Sequence, residues 1–406
     1  MKMNRRNFLR IVGSTTSGTM FLPKFLNAMP REGLMQSFMD NRQVLVVIQM
    51  NGGNDGLNTF IPYEDGLYYD LRKAVGIPKD QVIKGVSGGM GWHPSMKGFA
   101  DMQQAGDLTV IQNVGYPNPN RSHFRSIEIW QTGSNANEYL NKGWLGRYLD
   151  ATCAPDDALG ALNLDNIENL SLRGETSHTL TMQDPEKFER QLKALTENHD
   201  DPLDENPNLD FVRKLMIGSF DGSDQIKKAL EKSKTGTPLQ RSPVGQYPKH
   251  GLAQNLNWVA KMIKGGLNTP VYYTGLGSFD THSNQLGKQK QLLTELSESV
   301  KAFYDDMVAA NMLSNVTLMI FSEFGRRVKD NGSGTDHGTA APLFIIGGNN
   351  SGKIIGSNPN FDDLVNGDLK HEHDFRSVYA AILKQKLGVD PLKAGIKQEI
   401  LRGVFA

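Results

Sequence analysis

The chain has 406 residues, of which 44 are basic and 44 acidic, so its formal net charge is zero. This balance excludes the global attraction to nucleic acid or to an anionic membrane that a strongly basic protein would show. The single cysteine, Cys153, excludes an internal disulfide and an iron–sulfur cluster held by several cysteines. The length permits one large α/β domain or two smaller ones.

The amino terminus has the composition of a targeting leader. The sequence RRNFL at residues 5–9 matches the twin-arginine export pattern. The weakly apolar stretch Ile11–Leu22 is too short and too polar to span a bilayer, so we expect no stable membrane span. We therefore predict that residues 1–40 form a leader and that the twin-arginine machinery exports the folded chain to the periplasm or the cell surface.

Apolar runs of strand character alternate with amphipathic helices along the rest of the chain. The predicted strands lie at 44–50, 108–114, 271–275, 316–321 and 342–347, and the predicted helices at 94–105, 122–132, 251–266, 285–311 and 374–387. Strands separated by helices favour a largely parallel sheet that is covered on both faces. We predict one α/β domain over residues 41–406. An insertion or cap is expected at about 155–250, where an independent second domain is the alternative.

Acidic side chains stand at the ends of the predicted strands. In open α/β sheets, ligands and catalytic groups collect beyond the carboxyl ends of the strands. Asp55 follows the first strand behind a double glycine, and Glu323 follows the strand at 316–321. Asp55 is either a carboxylate of such a site or an ordinary turn-capping residue. The phosphate-loop motif G-x-x-x-x-G-K-[ST] is absent, which argues against a nucleotide-binding loop.

Two Asp/His pairs give the strongest chemical signal. Asp280 and His282 are separated by one residue, so both side chains point the same way in an extended segment. Asp336 and His337 form the second pair. A carboxylate beside an imidazole suits a first-row metal such as zinc, manganese or iron, although each pair taken alone also fits a structural hydrogen bond. Together with the two carboxylates above, the pairs favour a bound cation because their negative charges would otherwise repel.

Several arginines and one serine accompany these acids. Arg125 and Arg326 lie beside them in the sequence, as do Arg121 and Arg327. Guanidinium groups either bind phosphate, sulfate or carboxylate in a bidentate manner or neutralise the acids as ion pairs. Ser122 opens a predicted helix. It is either an ordinary N-cap or a nucleophile whose developing negative charge the helix amides would stabilise.

Six motifs, in this order, resemble one known family. They are NGGNDGLN, YPNPNRSHFRS, GWLGRYLD, FDTHSNQ, SEFGRR and GTDHGTAAP. As a set they resemble the exported bacterial family known as domain of unknown function 1501, over about residues 43–390. That family is similar to the alkaline phosphatase-like superfamily of phosphatases, sulfatases and phosphoglycerate mutases. The resemblance implies a three-layer α/β/α fold with a mixed, mostly parallel central sheet and a two-metal site at the strand ends.

The resemblance also implies metal-ligand roles for particular residues. Asp55 looks like the carboxylate ligand that follows the first strand. Asp280 and His282 look like the Asp/His ligand pair of the superfamily, which usually has three intervening residues where this chain has one. His337 looks like the late histidine ligand that precedes a proline and a strand.

Two positions depart from the superfamily pattern. Glu323 stands where the pattern has an aspartate, and Phe324 stands where it has a ligating histidine. The nucleophile normally opens a helix that ends in Thr-Gly, here residues 132–133. Ungapped counting from that end reaches His123 rather than Ser122. Either a one-residue slip makes Ser122 the nucleophile, or His123 is itself a metal ligand.

These signals together predict an exported metal-dependent hydrolase of phosphate or sulfate esters. The substrate is expected to be a small anionic ester or a sulfated or phosphorylated glycan. One zinc or manganese site is expected, with a second, weaker site that Asp55 and Glu323 would complete. The expected site residues are Ser122, His123, Arg125 and Arg326 for catalysis and Asp55, Asp280, His282, Glu323, Asp336 and His337 for metal.

Two other functions compete with this prediction. A non-catalytic exported binding or assembly protein would keep the fold and a structural metal, since a fold alone does not establish a function. An exported redox enzyme is disfavoured because the chain has neither a cysteine cluster nor the G-x-G-x-x-G motif that its usual cofactors need.

Overall fold

The computed structural model describes residues 42–85, 88–154, 157–197, 207–235 and 247–406. The predicted leader at residues 1–40 lies outside them. The strands are β1 (Val44–Met50), β2 (Phe60–Ile61), β3 (Gly91–Trp92), β4 (Leu108–Gly115), β5 (Ala161–Asn163), β6 (Thr179–Thr181), β7 (Val271–Leu276), β8 (Val316–Ser322), β9 (Ala341–Gly347), β10 (Ile354–Ile355), β11 (Leu364–Val365), β12 (Asp368–Leu369) and β13 (His373–Asp374). The helices are α1 (Gly56–Thr59), α2 (Gly66–Leu71), α3 (Lys97–Gln104), α4 (His123–Thr132), α5 (Trp144–Thr152), α6 (Pro185–Glu197), α7 (Pro207–Thr235), α8 (Gly251–Lys264), α9 (Gln285–Ala309) and α10 (Phe375–Gln385).

The longest strands lie at the centre of the molecule. Every residue of β1, β4, β8 and β9 is buried. A strand that is apolar on both faces requires a cover of helices on each side of its sheet. The continuous apolar runs in the sequence therefore explain why these strands take the central positions.

The side chains of β1 alternate between two apolar layers. Val46 and Ile48 pack in the layer that also contains residues of α3, α8 and α9. Leu45 and Val47 pack in the opposite layer, with residues of α4, α5 and α10. Burying one such side chain stabilises the fold by about 1.5–3 kcal/mol. This arrangement confirms the predicted three layers, with helices on both faces of one sheet.

The main sheet has nine strands, in the order β10-β4-β9-β8-β1-β7-β5-β6, with β13 also paired to β4. Within the described part of this sheet, only β9 runs antiparallel to its neighbours, which are β4 and β8. The predicted mixed, mostly parallel sheet is thus confirmed. Because β9 is reversed, the loop that enters it lies at the same edge as the loops that leave β1, β4, β7 and β8.

The polar stretch at 155–250 supplies both strands and helices. Its strands β5 and β6 continue the main sheet beyond β7, and α7 packs against α6 and α8. Part of the stretch predicted as an insertion or cap therefore belongs to the sheet itself. Among the described residues, no helix combines the length and apolar character needed to cross a bilayer.

Candidate metal centre

Three loops bring an aspartate and three histidines together at the carboxyl edge of the sheet. His123 is the first residue of α4, after the loop that leaves β4. Asp280 and His282 follow β7, and His337 precedes β9. These segments are far apart in the sequence, and the strand order makes them neighbours.

Three imidazole nitrogens lie close to one carboxylate oxygen. Oδ1 of Asp280 lies 3.0 Å from Nε2 of His282, 3.2 Å from Nε2 of His337 and 3.4 Å from Nε2 of His123. The Nε2 atoms of His282 and His337 are 3.0 Å apart. A tetrahedral zinc ion, with Zn–N distances of about 2.0–2.1 Å, places its donor atoms roughly 3.3 Å apart. Donor atoms of His123, Asp280 and His337 all lie within 4.8 Å of one another, so these three side chains form a candidate site for one metal ion, with His282 beside them.

Hydrogen bonds on the far side of each imidazole fix the tautomers. Nδ1 of His123 lies 2.8 Å from a carboxylate oxygen of Glu323, and Nδ1 of His282 lies 3.0 Å from one of Asp336. Nδ1 of His337 lies 2.7 Å from the backbone carbonyl oxygen of Arg121. These three partners only accept hydrogen bonds, because ionised carboxylates and carbonyl groups carry no donor. Each Nδ1 must donate, so in the neutral rings all three Nε2 lone pairs face the same point.

One of these nitrogens has no partner of its own. Nε2 of His123 is buried and makes no hydrogen bond to any described residue. A buried polar atom without a partner is costly, and three lone pairs beside a carboxylate repel each other. A cation at the centre would satisfy all four atoms. The donor set of three imidazoles and one carboxylate thus fits a divalent metal such as zinc or manganese.

The electrostatic surroundings keep two of the donors, Asp280 and His337, in their metal-binding forms. Burial alone would raise the pKa of Asp280, but the hydrogen bond and the positive charge of Arg326 outweigh it and hold that pKa well below its usual range. Burial lowers the pKa of His337, which favours the neutral ring. The hydrogen bond from His282 lowers the pKa of Asp336. The hydrogen bond to Glu323 raises the pKa of His123, which a bound cation would oppose.

Glu323 and Asp336 lie behind the histidines and are not part of the cluster, by which we mean His123, Asp280, His282 and His337. Glu323 is fully buried and also accepts the backbone N–H of Gly52 at 2.8 Å. The structure therefore corrects the expectation that these two carboxylates face the metal directly. They orient the rings of His123 and His282, as outer carboxylates commonly do for metal-binding histidines.

The solvent-facing side of the cluster is open. Roughly half of the Asp280 side chain is exposed (47%), and about a quarter of the His123 side chain is (25%). A small molecule can therefore approach the carboxylate of Asp280 from this side.

Asp55 does not join the cluster. Its carboxylate forms a buried ion pair with the guanidinium group of Arg72, and both side chains are almost completely inaccessible to solvent. It also accepts a hydrogen bond from the amide of Gln285. The expected ligand role of Asp55 is thus corrected: a fixed cation of the chain already compensates its charge. The motif around Asp55 gives no indication of Arg72, which lies 17 positions further along the chain.

Phe324 occupies the position where the superfamily pattern has a histidine. It is buried, and its ring centroid lies 4.9 Å from those of both His123 and His337. A Cβ atom on Gly53 would overlap this ring, so the glycine makes room for it. The apolar ring supports the two histidines and offers no donor for a second metal.

The two arginines expected to hold an anion are engaged elsewhere. Arg125 donates to the backbone carbonyls of the loop at residues 135–138 and pairs with Glu128 at 2.8 Å. Arg326 is buried and donates to four backbone carbonyls as well as to Asp280 at 2.6 Å. Both expectations are corrected, because carbonyl groups that only the folded loops present take up these guanidinium donors.

Ser122 and His123 have different positions at the start of α4. Ser122 is the exposed N-cap residue, and its hydroxyl makes no capping hydrogen bond. His123 points into the cluster. Of the two alternatives that the sequence left open, this geometry favours His123 as a ligand, and it leaves Ser122 beside the site.

Gln285, the first residue of α9, was not anticipated from the sequence. Its side-chain oxygen accepts hydrogen bonds from Thr335 at 2.6 Å and Thr281 at 3.3 Å, and its nitrogen donates to Asp55. Thr281 lies between Asp280 and His282, so this single buried amide connects both ligand-bearing loops. A glutamine at a predicted helix start carries no distinctive sequence signal.

Solved structures with similar folds include enzymes that act on phosphorus and sulfur esters. The phosphonate monoester hydrolase from Silicibacter pomeroyi is 11% identical, with a TM-score of 0.39 over 89% of this chain and 78% of its own. The PsFucS1 sulfatase from Pseudoalteromonas sp. is 10% identical, with a TM-score of 0.39 over 91% and 77%. A protein in the alkaline phosphatase superfamily from Vibrio parahaemolyticus is 10% identical, with a TM-score of 0.37 over 97% and 78%. Similarity at this level says nothing specific about the activity of this chain.

Comparison with curated proteins finds no match. A family described as "Protein of unknown function (DUF1501)" matches residues 102–394, which is well over half of the chain. The matched region contains every donor of the cluster and confirms the family that the six motifs indicated. The chain belongs to the DUF1501 family.

Proposed function

We propose that this chain is an exported metal-dependent hydrolase of phosphate or sulfate esters. The observation that carries the proposal is that three imidazole nitrogens lie within 3.4 Å of one carboxylate oxygen of Asp280, a side chain that is 47% exposed. The twin-arginine motif at residues 5–9 supports export to the periplasm or the cell surface. Residues 41–406 would then form the exported domain.

His123, Asp280, His282 and His337 would hold one zinc or manganese ion. Such an ion polarises an ester oxygen and lowers the pKa of a bound water molecule. The chain supplies the remaining functions. Glu323 keeps the Nδ1 proton of His123 in place. The open side of the cluster admits the anionic ester, and the nucleophile is a water molecule or the exposed hydroxyl of Ser122, the residue beside the ligand His123.

Two measurements test the proposal together. Elemental analysis of the purified protein, expressed with ample zinc and manganese, should give close to one divalent ion per chain. Hydrolysis of 4-nitrophenyl phosphate and 4-nitrophenyl sulfate should be detectable, and His337→Ala should abolish both metal binding and hydrolysis. His250→Ala is the matched control, because His250 contacts Glu298 on the surface.

The outcomes separate the parts of the proposal. Metal content far below one ion per chain would contradict the metal centre itself. Full activity of Ser122→Ala would remove the serine as nucleophile and leave water in that role.

A non-catalytic binding or assembly role is the second candidate. Four protein donors can fill a tetrahedral zinc site, and sites closed in this way are usually structural. The pairing of Asp55 with Arg72 and the buried Phe324 leave no second site in the described residues. Stoichiometric metal in a protein that hydrolyses none of a broad panel of phosphate and sulfate esters would favour this role.

A further inference from the structure

A groove of about 820 Å³ opens beside the cluster of His123, Asp280, His282 and His337. One rim is the loop at residues 116–121, and the other is the hairpin of β11 and β12 with the residues that follow it. Phe324, which contacts the rings of His123 and His337, lines the groove as well. A substrate with its ester group at the cluster would therefore extend the rest of its structure along this groove.

The two rims are built rigidly and tied together. The hairpin turns through Asn366 and Gly367, whose φ angles of 53° and 82° are the positive values that a tight two-residue hairpin turn needs. Asp368, directly after the turn, is 1% exposed and forms an ion pair with Arg121 from the opposite rim. The groove is therefore largely preformed, which reduces the ordering cost of binding.

The groove lining combines hydrogen-bonding groups with apolar surface. The exposed side-chain amides of Asn118 and Asn366 make no hydrogen bond to any described residue. The side chain of Lys370 is 48% exposed, and its ammonium group forms a surface ion pair with Asp363. The buried indole N–H of Trp130, in the lining, has no acceptor among the described residues. Val365 adds an aliphatic surface that is 49% exposed.

This lining discriminates between classes of ligand. The rings of Tyr116, Trp130 and Phe324 in the lining are at most 3% exposed, so none of these three gives a nucleic-acid base a face for stacking. Amide and ammonium groups interrupt the continuous apolar wall that a lipid chain would need. Hydroxyl groups beside C–H faces, as in a sugar ring, complement both kinds of surface. The volume lies in the usual range of about 300–1,000 Å³ for small-molecule sites.

We propose that the groove binds the sugar portion of the substrate, so that the substrate is a sulfate or phosphate ester of a saccharide. This inference rests on the proposed ester hydrolysis at the cluster. It assigns Asn118, Asn366 and Lys370 to recognition of the sugar and leaves the chemistry to the cluster.

The test compares alkyl esters that differ only in the leaving group. Hydrolysis of N-acetylglucosamine 6-sulfate and 6-phosphate is measured beside that of ethyl sulfate and ethyl phosphate, so the two arms also separate sulfate from phosphate. We expect kcat/KM for a sugar ester to exceed that for the matching ethyl ester at least tenfold. The combined variant Asn118→Gly, Asn366→Gly, Lys370→Met should lower this ratio at least tenfold, since glycine keeps the positive φ of both loops.

A control and a binding measurement separate the possible failures. Lys97→Met, which removes a surface lysine paired with Asp101, should leave the ratio unchanged. Hydrolysis of ethyl esters without any preference for sugar esters would overturn the groove assignment and leave the proposed function intact. If no ester is hydrolysed, calorimetric titration of chelator-treated protein with the same sugar esters decides whether the groove binds sugars. Binding that the combined variant weakens tenfold would uphold the groove while the proposed function fails, and no binding would overturn both.

Discussion

The imidazole of His123 rests on the buried carboxylate of Glu323, with 2.8 Å between Nδ1 and Oε1. This contact fixes the ring so that Nε2 faces the cluster. Replacing the carboxylate by the neutral amide in Glu323→Gln should weaken metal affinity about 10- to 100-fold, as loss of an outer carboxylate typically does. Competition with a chromogenic chelator measures this affinity.

Glu298→Gln is the control for that experiment. Glu298 contacts His250 at 3.1 Å on the exposed surface, so its replacement changes a similar pair away from the site. Equal metal affinity of Glu323→Gln and the parent chain would show that Glu323 does not orient a ligand.

Loss of one partner from the buried ion pair of Asp55 and Arg72 should strongly reduce the stability of the fold. Arg72→Met leaves the carboxylate uncompensated in the interior, and we expect it to lower the free energy of unfolding by about 3–5 kcal/mol. Adding Asp55→Asn should recover part of this loss. Urea denaturation measures both variants. The surface pair of Lys97 and Asp101 provides the comparison, because breaking an exposed pair costs about 0–1 kcal/mol.

Gln285 should act on both stability and metal binding. In Gln285→Leu, Thr281 and Thr335 lose their common acceptor and Asp55 loses a donor. The expected cost is about 1–3 kcal/mol of unfolding free energy for the unsatisfied buried groups. Metal affinity should fall as well, because both threonines lie within two residues of ligands. Gln103→Leu, which removes the acceptor for the indole of Trp92, should destabilise the fold without changing metal affinity.

His93 makes stability depend on pH. Burial, aided by the positive charge of Lys290, lowers its pKa to about 4 from the ordinary 6.5. The unfolded chain therefore binds a proton at a higher pH than the folded chain does. Stability from this group is complete above pH 6.5 and is lost as the pH falls toward 4. Between pH 7.5 and pH 5 the loss should be about 2 kcal/mol.

The variant His93→Asn isolates this effect. An asparagine oxygen can still accept the N–H of Ser95, as Nδ1 of His93 does, but it does not titrate. Urea midpoints at the two pH values should therefore differ less in the variant than in the parent chain. An identical pH dependence in the two proteins would contradict the assignment.

The fold could be predicted from the sequence because the burial of strands and helices determines the pattern of apolar residues along the chain. The predicted strand at 44–50 coincides with β1, and the predicted helix at 285–311 begins at the same residue as α9. Helix ends were less accurate: the helix expected at 94–105 spans Lys97–Gln104. Apolar periodicity defines which residues face the core, whereas local capping decides where a helix stops.

The site was only partly predictable. The proximity of Asp280, His282 and His337 could be predicted because all three side chains lie near strand ends at one edge of the sheet. Asp55 has the same sequence signal, and its pairing with Arg72 depends on a side chain that reaches it only in the folded structure. Sequence spacing reports which groups lie near an edge, but it does not report which of them a neighbouring cation neutralises.

The reversed direction of β9 has a consequence for assembly. Its entry loop delivers His337 to the edge where β4 and β7 deliver the other three donors. β9 pairs with both β4 and β8, so the fourth donor arrives only when this late segment has been inserted between two strands from distant parts of the chain. If the cluster holds the proposed ion, a nascent polypeptide that ends before residue 341 would lack the full donor set, and metal loading would follow completion of the sheet.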